Sequence, residues 1–321
     1  MIISKTPYRL SLAGGLSDLE NYYKHNDGFV ISTTIDKYIY VMITKSHSDK
    51  FRVVYRDVET VSNINDIKHP IIRECLKYAD IEEPLEIVSL ADTVGGSGLG
   101  SSSAFTVGLL NALYTYKGIT FNRSKLAEDA CKIEIEILGE PIGKQDQYAC
   151  TFGGLNKLIF NRKGVKISPV FTDIETYNKM QDNMLLFHTG MTRCAGSVLK
   201  DQKERYDDIY NDVSDLCWLA KCIYDDIIKD NLKDMGYYLN EVWKIKKSTG
   251  KVSNNIIDDI YNRGIKSGAK GGKICGAGSG GFILFYCEPD KQNDVRYALS
   301  DLKELPFNFE DEGTRIIYED K

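Results

Sequence analysis

The stretch Gly95-Gly96-Ser97-Gly98-Leu99-Gly100-Ser101-Ser102-Ser103-Ala104 constrains this chain more than any other. Glycines let the backbone turn with its amides facing inward and no side chain in the way. Directly after them, Val107, Leu110 and Leu113 recur near helical spacing. Gly118 stands where a C-terminal cap belongs, so a helix over 104–116 is expected. A glycine loop that ends at a helix N-terminus offers unpaired amides and the positive end of the helix dipole to an anion. The stretch is therefore read as a phosphate cradle that needs no lysine, with a serine hydroxyl to spare for magnesium. The plainer alternative is a turn-forming glycine cluster followed by a serine cap.

Two better-known phosphate motifs do not apply. A Walker loop ends in Gly-Lys-Ser/Thr, and this loop has no lysine. A second glycine run, Gly276-Ala277-Gly278-Ser279-Gly280-Gly281, satisfies the bare dinucleotide pattern. That pattern follows a strand and opens a helix, whereas this run precedes the strand-like segment 282–286.

An anion must be held locally here, because the chain as a whole does not attract one. Lys plus Arg number 41 against 46 Asp plus Glu, a formal net charge of −5. No global field draws such a chain to nucleic acid or to an anionic membrane, and neither is expected as a partner. The opening MIISKTPYRL has no apolar core of signal-peptide length, and the most apolar stretch, 282–287, is only as long as a strand. Eight cysteines (75, 131, 150, 194, 217, 222, 275 and 287) are scattered without a CxxC pair. They are read as free buried thiols of a cytoplasmic protein rather than a disulfide framework or zinc site.

The 321 residues suffice for two domains. The first part reads as strands at 8–13, 29–32, 38–44, 51–55 and 85–90, with helices at 104–116 and 124–138. From 196 to 266 the pattern is helical and charged, in three segments broken near Asp230 and Gly250. A strand at 282–286, a helix at 294–302 and a strand at 315–319 follow. Domains over 1–175 and 176–321 are expected.

Three segments together resemble the signatures of the GHMP kinases (galactokinase, homoserine kinase, mevalonate kinase, phosphomevalonate kinase). PYRLSLAGGLSD, residues 7–18, is similar to their N-terminal motif, GLGSSSA to their ATP-binding motif, and KICGAGSGG, residues 273–281, to their third. Order and spacing match across nearly the whole chain. The stretches TPYRLSLAGGLSDLENYY, STTIDKYIYV, IEILGEPIGKQDQYACTFGGLN and HTGMTRCAGSVLKDQ further resemble the heptose 7-phosphate kinase branch. Leu16 departs from that branch, which shows a smaller residue there; the expected effect is on loop packing rather than chemistry. Gly15 stands where galactokinases carry an acid, which argues against galactose.

The resemblance implies an α+β fold: an N-terminal domain like ribosomal protein S5 domain 2, and a ferredoxin-like C-terminal domain. ATP with Mg²⁺ is expected in the cleft between them, on Gly95 to Ser103. Asp146, in Gly143-Lys144-Gln145-Asp146-Gln147, matches the family's catalytic aspartate, which would orient or deprotonate the acceptor hydroxyl. Arg9 occupies the position of the basic residue of the first motif, pairing with Asp146 and stabilising phosphoryl charge. Ser102 and Glu134 match the magnesium ligands; Glu136 ranks below Glu134 because two residues along a helix turn it another way. Asp18, with the Gly14-Gly15 backbone, matches the sugar-binding position. Thr189, Gly190 and Arg193 follow an apolar strand, and Arg193 is assigned to a distal substrate phosphate. Gly276, Ala277, Gly278, Ser279 and Gly280 close over the site, unless they form only a tight turn.

The implied reaction is phosphorylation of the C1 hydroxyl of a heptose 7-phosphate. A neutral-hexose 1-kinase, for fucose for example, and a sugar-phosphate-binding protein without catalysis are the alternatives. Asp146, Glu134, Ser102 and Arg9 together speak for catalysis, since a pure binder has little need of the full set. A homodimer is left open.

Overall fold

The computed structural model describes residues 1–191 and 195–320. Its larger sheet is built on two long antiparallel strands, β1 (Ile2–Ala13) and β2 (Gly28–Lys45). The strands expected at 29–32 and 38–44 are one strand of 18 residues. The intervening Thr33-Thr34-Ile35 is β-branched and buried, so the chain continues extended across it. One end of β2 pairs with β5 (Leu85–Ala91), which carries the hairpin of β3 (Phe51–Val54) and β4 (Val58–Val61). Its other end pairs with β6 (Asn156–Asn161), which is followed by β7 (Gly164–Pro169).

A second sheet runs β11 (Lys303–Glu304), β8 (Met184–His188), β10 (Phe282–Tyr286), β9 (Gly271–Ile274). All five residues of β10 are buried, as its unbroken apolar run requires. The chain then returns to the first sheet: β12 (Phe309–Glu310) pairs with β2 and β13 (Arg315–Glu319) with β1. The division expected at 175/176 therefore does not capture this C-terminal return, in which 309–319 hydrogen-bond to strands of the first part.

Helices cover both sheets: α1 (Glu20–Tyr23), α2 (Pro70–Tyr78), α3 (Ser101–Lys117), α4 (Arg123–Cys131), α5 (Gln145–Phe152), α6 (Ile174–Asp182), α7 (Ala195–Glu204), α8 (Tyr210–Ile227), α9 (Met235–Ser248), α10 (Asn255–Lys266) and α11 (Pro289–Ala298). The glycine loop opens α3, whose residues from Ser103 to Tyr114 are buried and pack on β1 and β2. Gly118 ends it at φ 67, as the cap reading expects. None of these helices is long and apolar enough to cross a membrane, among the described residues.

Three helical expectations change. The segment 196–266 holds four helices, and Asp230 at φ 55 marks the break between α8 and α9. The last helix begins at Pro289 rather than 294, because proline is preorganised for the first turn. The helix expected over 124–138 is α-helical only to Cys131. Residues Lys132–Ile137 form a π-helical turn, in which the Leu138 amide reaches back to the Ile133 carbonyl at 2.9 Å. The described cysteines are free thiols; Cys194 lies outside the described residues.

Candidate active site

A cleft of ≈ 370 Å³ lies where the two sheets' loops meet. Its floor is the C-terminal half of β1, one wall is the glycine loop with the start of α3, and the other is the loop between β9 and β10. Gly96, Gly98, Gly100, Ser101, Ser102 and Ser103 line it; Gly95, Ser97 and Leu99 do not. Ser97 and Leu99 anchor the loop from behind, their carbonyls accepting from the amides of Phe282 (3.0 Å) and Arg9 (3.1 Å). No side chain caps the N-terminus of α3. The first-turn amides of this long helix are thus left for an anion, as the dipole favours.

Arg9 and Asp146 meet on the floor, 137 residues apart in sequence. Arg9 Nε and Nη2 donate to Asp146 Oδ1 and Oδ2 at 2.7 and 2.8 Å, a bidentate pair, while Nη1 donates to the Gly98 carbonyl at 2.7 Å. Arg9 is 4 % exposed and Asp146 24 %, so the pair opens to the cleft on its carboxylate side. Gly100 sits beneath at φ +75, where an added Cβ would lie 3.0 Å from Arg9 Cγ and 3.3 Å from Asp146 Oδ2. Both the backbone conformation and the close approach call for glycine.

Glu134 hangs from the π-helical turn and is fully buried. Its carboxylate accepts from Ser102 Oγ at 2.8 Å and Gln147 Nε2 at 2.7 Å, with no ion pair among the described residues. Burial pushes its carboxyl up to about 7. Glu136, two residues on, is exposed. Extra residues in a turn re-aim the side chains, and such turns recur at functional sites. Ser102 and Glu134 supply two hard oxygen donors at the mouth of the glycine loop, one a desolvated carboxylate without an ion-pair partner among the described residues. That fits Mg²⁺, which takes few protein ligands and completes its shell with water and phosphate oxygens.

Asp18 also lines the cleft, held by the residue next to Asp146. It is 3 % exposed and accepts from Gln145 N and Nε2, both at 3.1 Å. Burial, with the charge of Asp146 adding to it, lifts its carboxyl to about 6. Gly15 lines the cleft here, whereas Gly14 packs behind on Phe29. Leu16 adopts φ 73, a conformation that favours glycine. Its carbonyl accepts from Tyr206 of the α7–α8 connection at 2.9 Å, and its side chain is buried.

The third motif presses directly on the glycine loop. Gly276 has φ +61, and a Cβ there would lie 2.6 Å from Gly98 Cα. Ala277, Gly278 and Gly280 line the cleft with it. Ser279 does not; its amide donates to the Val252 carbonyl at 2.6 Å. Thr189 and Gly190 are also away from the cleft lining: Thr189 Oγ1 donates to the Gly281 carbonyl at 2.8 Å and braces the motif. Arg193 lies outside the described residues.

Several residues in or just behind the lining have no role assigned from the sequence. Gln145 in the lining and the buried Gln147 behind it flank Asp146 and hold Asp18 and Glu134 in place; their position in GKQDQ is the one signal that pointed to them. Lys273, which opens the third motif without a role assigned to it, and Lys246 come from the second part of the chain and reach backbone carbonyls, contacts that leave no trace in sequence.

Residues 67–154 match the sequence pattern described as the GHMP kinases N terminal domain, and residues 224–304 that described as GHMP kinases C terminal. The chain is 29% identical to D-glycero-alpha-D-manno-heptose 7-phosphate kinase of Campylobacter jejuni, over 93% of both chains. Two solved structures superpose along nearly the full length. A D-glycero-D-manno-heptose 1-phosphate kinase from Bacteroides thetaiotaomicron does so at TM-score 0.83, with 24% identity and 100% of each chain covered. A sugar kinase from Campylobacter jejuni, itself assigned only provisionally, does so at TM-score 0.78, with 27% identity over 98% of this chain and 97% of that one. With both patterns present in order, and the two-domain fold they share, this chain belongs to the GHMP kinases, which are ATP-dependent kinases.

Proposed function

We propose that the chain transfers the γ-phosphoryl group of ATP to the anomeric C1 hydroxyl of D-glycero-α-D-manno-heptose 7-phosphate. The products are the 1,7-bisphosphate and ADP, in nucleotide-activated heptose synthesis for surface polysaccharide. The observation that carries a kinase reading is the bidentate Arg9–Asp146 pair, set between an open helix N-terminus and Asp18. The similarity to the Campylobacter jejuni kinase, which covers 93% of both chains, supports this sugar.

Phosphoryl transfer is mostly positioning and charge neutralisation. The loop amides from Gly96 to Ser103 hold the triphosphate. Bound between Ser102, Glu134 and the phosphates, Mg²⁺ would supply charge neutralisation of the phosphate oxygens. Asp18, with Gln145 fixing its orientation, accepts from sugar hydroxyls and sets C1 towards the phosphate. Asp146 keeps lone pairs beyond its two bonds to Arg9, and these orient the C1 hydroxyl. As the C1 oxygen bonds to phosphorus and the bond from phosphorus to ADP breaks, Asp146 takes the hydroxyl proton and later gives it to solvent. An anomeric hydroxyl is more acidic than an ordinary alcohol, so a carboxylate suffices. Arg9 offsets negative charge on the group in transit.

The test is ADP release against a panel of free and phosphorylated hexoses and heptoses. Heptose 7-phosphate is expected to turn over fastest, with free heptose far slower. Equal turnover of neutral hexoses would replace this reading with a neutral-sugar 1-kinase, and no ADP from any sugar would end it.

A further inference from the structure

Lys273 is 5 % exposed, yet it lines the cleft. From β9 it crosses to β1, where Nζ donates to the carbonyls of Ser11 at 2.7 Å and Leu12 at 3.0 Å. An ammonium has three donors, and these bonds use two. The charged and titratable groups around it are Arg9 on β1, Cys275 just beyond β9, and Lys246 on α9, which donates to the Ile274 carbonyl at 3.0 Å and to that of Gly276. No carboxylate forms an ion pair with Lys273 among the described residues. Burial, with the charge of Arg9 adding to it, brings its ammonium down to about 8.

A buried cation without a counter-charge is unfavourable, and two carbonyls can be held by neutral donors. What lysine adds is charge and a third N–H. On β1, Ser11 and Leu12 lie two and three residues beyond Arg9 towards Asp18, between the nucleotide loop and the sugar end. We propose that Lys273 is a ligand for a phosphoryl oxygen in the cleft, its missing counter-charge arriving with the substrate. Resting on the kinase reading above, this assigns a cation for the group in transit from the second sheet.

Calorimetric titration at about pH 8, in two buffers of different ionisation heat, counts protons taken up on binding. Ligands are a non-hydrolysable ATP analogue, ADP, and a sugar with and without its phosphate. An oxygen anion beside Lys273 raises its proton affinity, so the wild type takes up a few tenths of a proton with the ATP analogue and fewer with ADP. Lys273→Met keeps the length of the side chain, removes that uptake and weakens the analogue roughly ten- to a hundredfold. If uptake and loss accompany the phosphorylated sugar instead, the oxygen belongs to the acceptor. Should the variant not fold, the wild type alone decides, since uptake through Lys273 peaks near pH 8, above the ranges of Asp18 and Glu134. Binding without uptake at that pH, or affinities within twofold for every ligand in Lys273→Met, overturns the assignment and leaves the kinase reading standing. Failure of the wild type to bind any nucleotide ends both.

Discussion

Glu134→Gln should make the protein more stable while weakening its hold on magnesium. Glutamate ionises near 4.5 in the unfolded chain and at about 7 in the fold, because burial disfavours the charge. At about 1.4 kcal/mol per tenfold change in proton affinity, keeping Glu134 ionised in the metal-free fold costs roughly 3 kcal/mol. Between those two values the folded state binds more protons than the unfolded one. Stability therefore falls as pH rises from 4.5 through 7, and levels off above. Glutamine carries no charge and can keep the contacts with Ser102 and Gln147, so its benefit is full above pH 7 and fades towards pH 4.5. Thermal unfolding without magnesium, followed at about pH 8 and about pH 5, should show the variant melting higher by roughly 5 °C at the first pH. The gain should be much smaller at the second. Added Mg²⁺ with nucleotide should raise the wild-type midpoint by mass action and the variant's far less. A variant that melts lower at pH 8, or gains equally at both, would refute burial as the cause.

Two further substitutions probe the floor of the cleft. Asp146→Asn should cut turnover at least about a hundredfold while nucleotide affinity stays within about threefold. It also leaves a 4 % exposed arginine without its counter-charge, so unfolding should show a loss of roughly 2 kcal/mol. Unchanged turnover would remove Asp146 from its role. Burial sets the carboxyl of Asp18 at about 6, so KM for the acceptor should climb as pH falls below that value while KM for ATP does not follow. Asp18→Asn should hold KM about ten- to a hundredfold higher and flatten that pH dependence; a wild type with flat KM would exclude Asp18 as an acceptor of sugar hydrogen bonds.

What was legible in the sequence is what depends on local backbone chemistry. The glycine loop, the capped helix behind it and the strand 282–286 follow from residue types at fixed spacings, and they are found where expected. The π-helical turn was not legible, because Lys132 to Ile137 is an ordinary helical sequence whose widening depends on what packs around it. The return of the C-terminus to the first sheet was equally hidden. Residues 315–319 read as a strand, but no periodicity says which edge a strand will join.

By itself the sequence determined the glycine loop before α3, the second glycine run before β10 and the acids and bases available to them, since these are properties of residue type and short spacing. That Arg9 pairs with Asp146, and that Ser102 and Glu134 serve one site, was implied only by the family resemblance; the tertiary structure decided the geometry in which they meet. It brought Arg9 to Asp146, Ser102 to Glu134, and Lys273 onto the carbonyls of Ser11 and Leu12, contacts spanning from 32 to 262 residues of chain. Such pairings are set by how two sheets and their helices bury apolar faces against each other, and burial in turn moved Asp18, Glu134 and Lys273 away from their ordinary ionisation, which no residue does on its own in water.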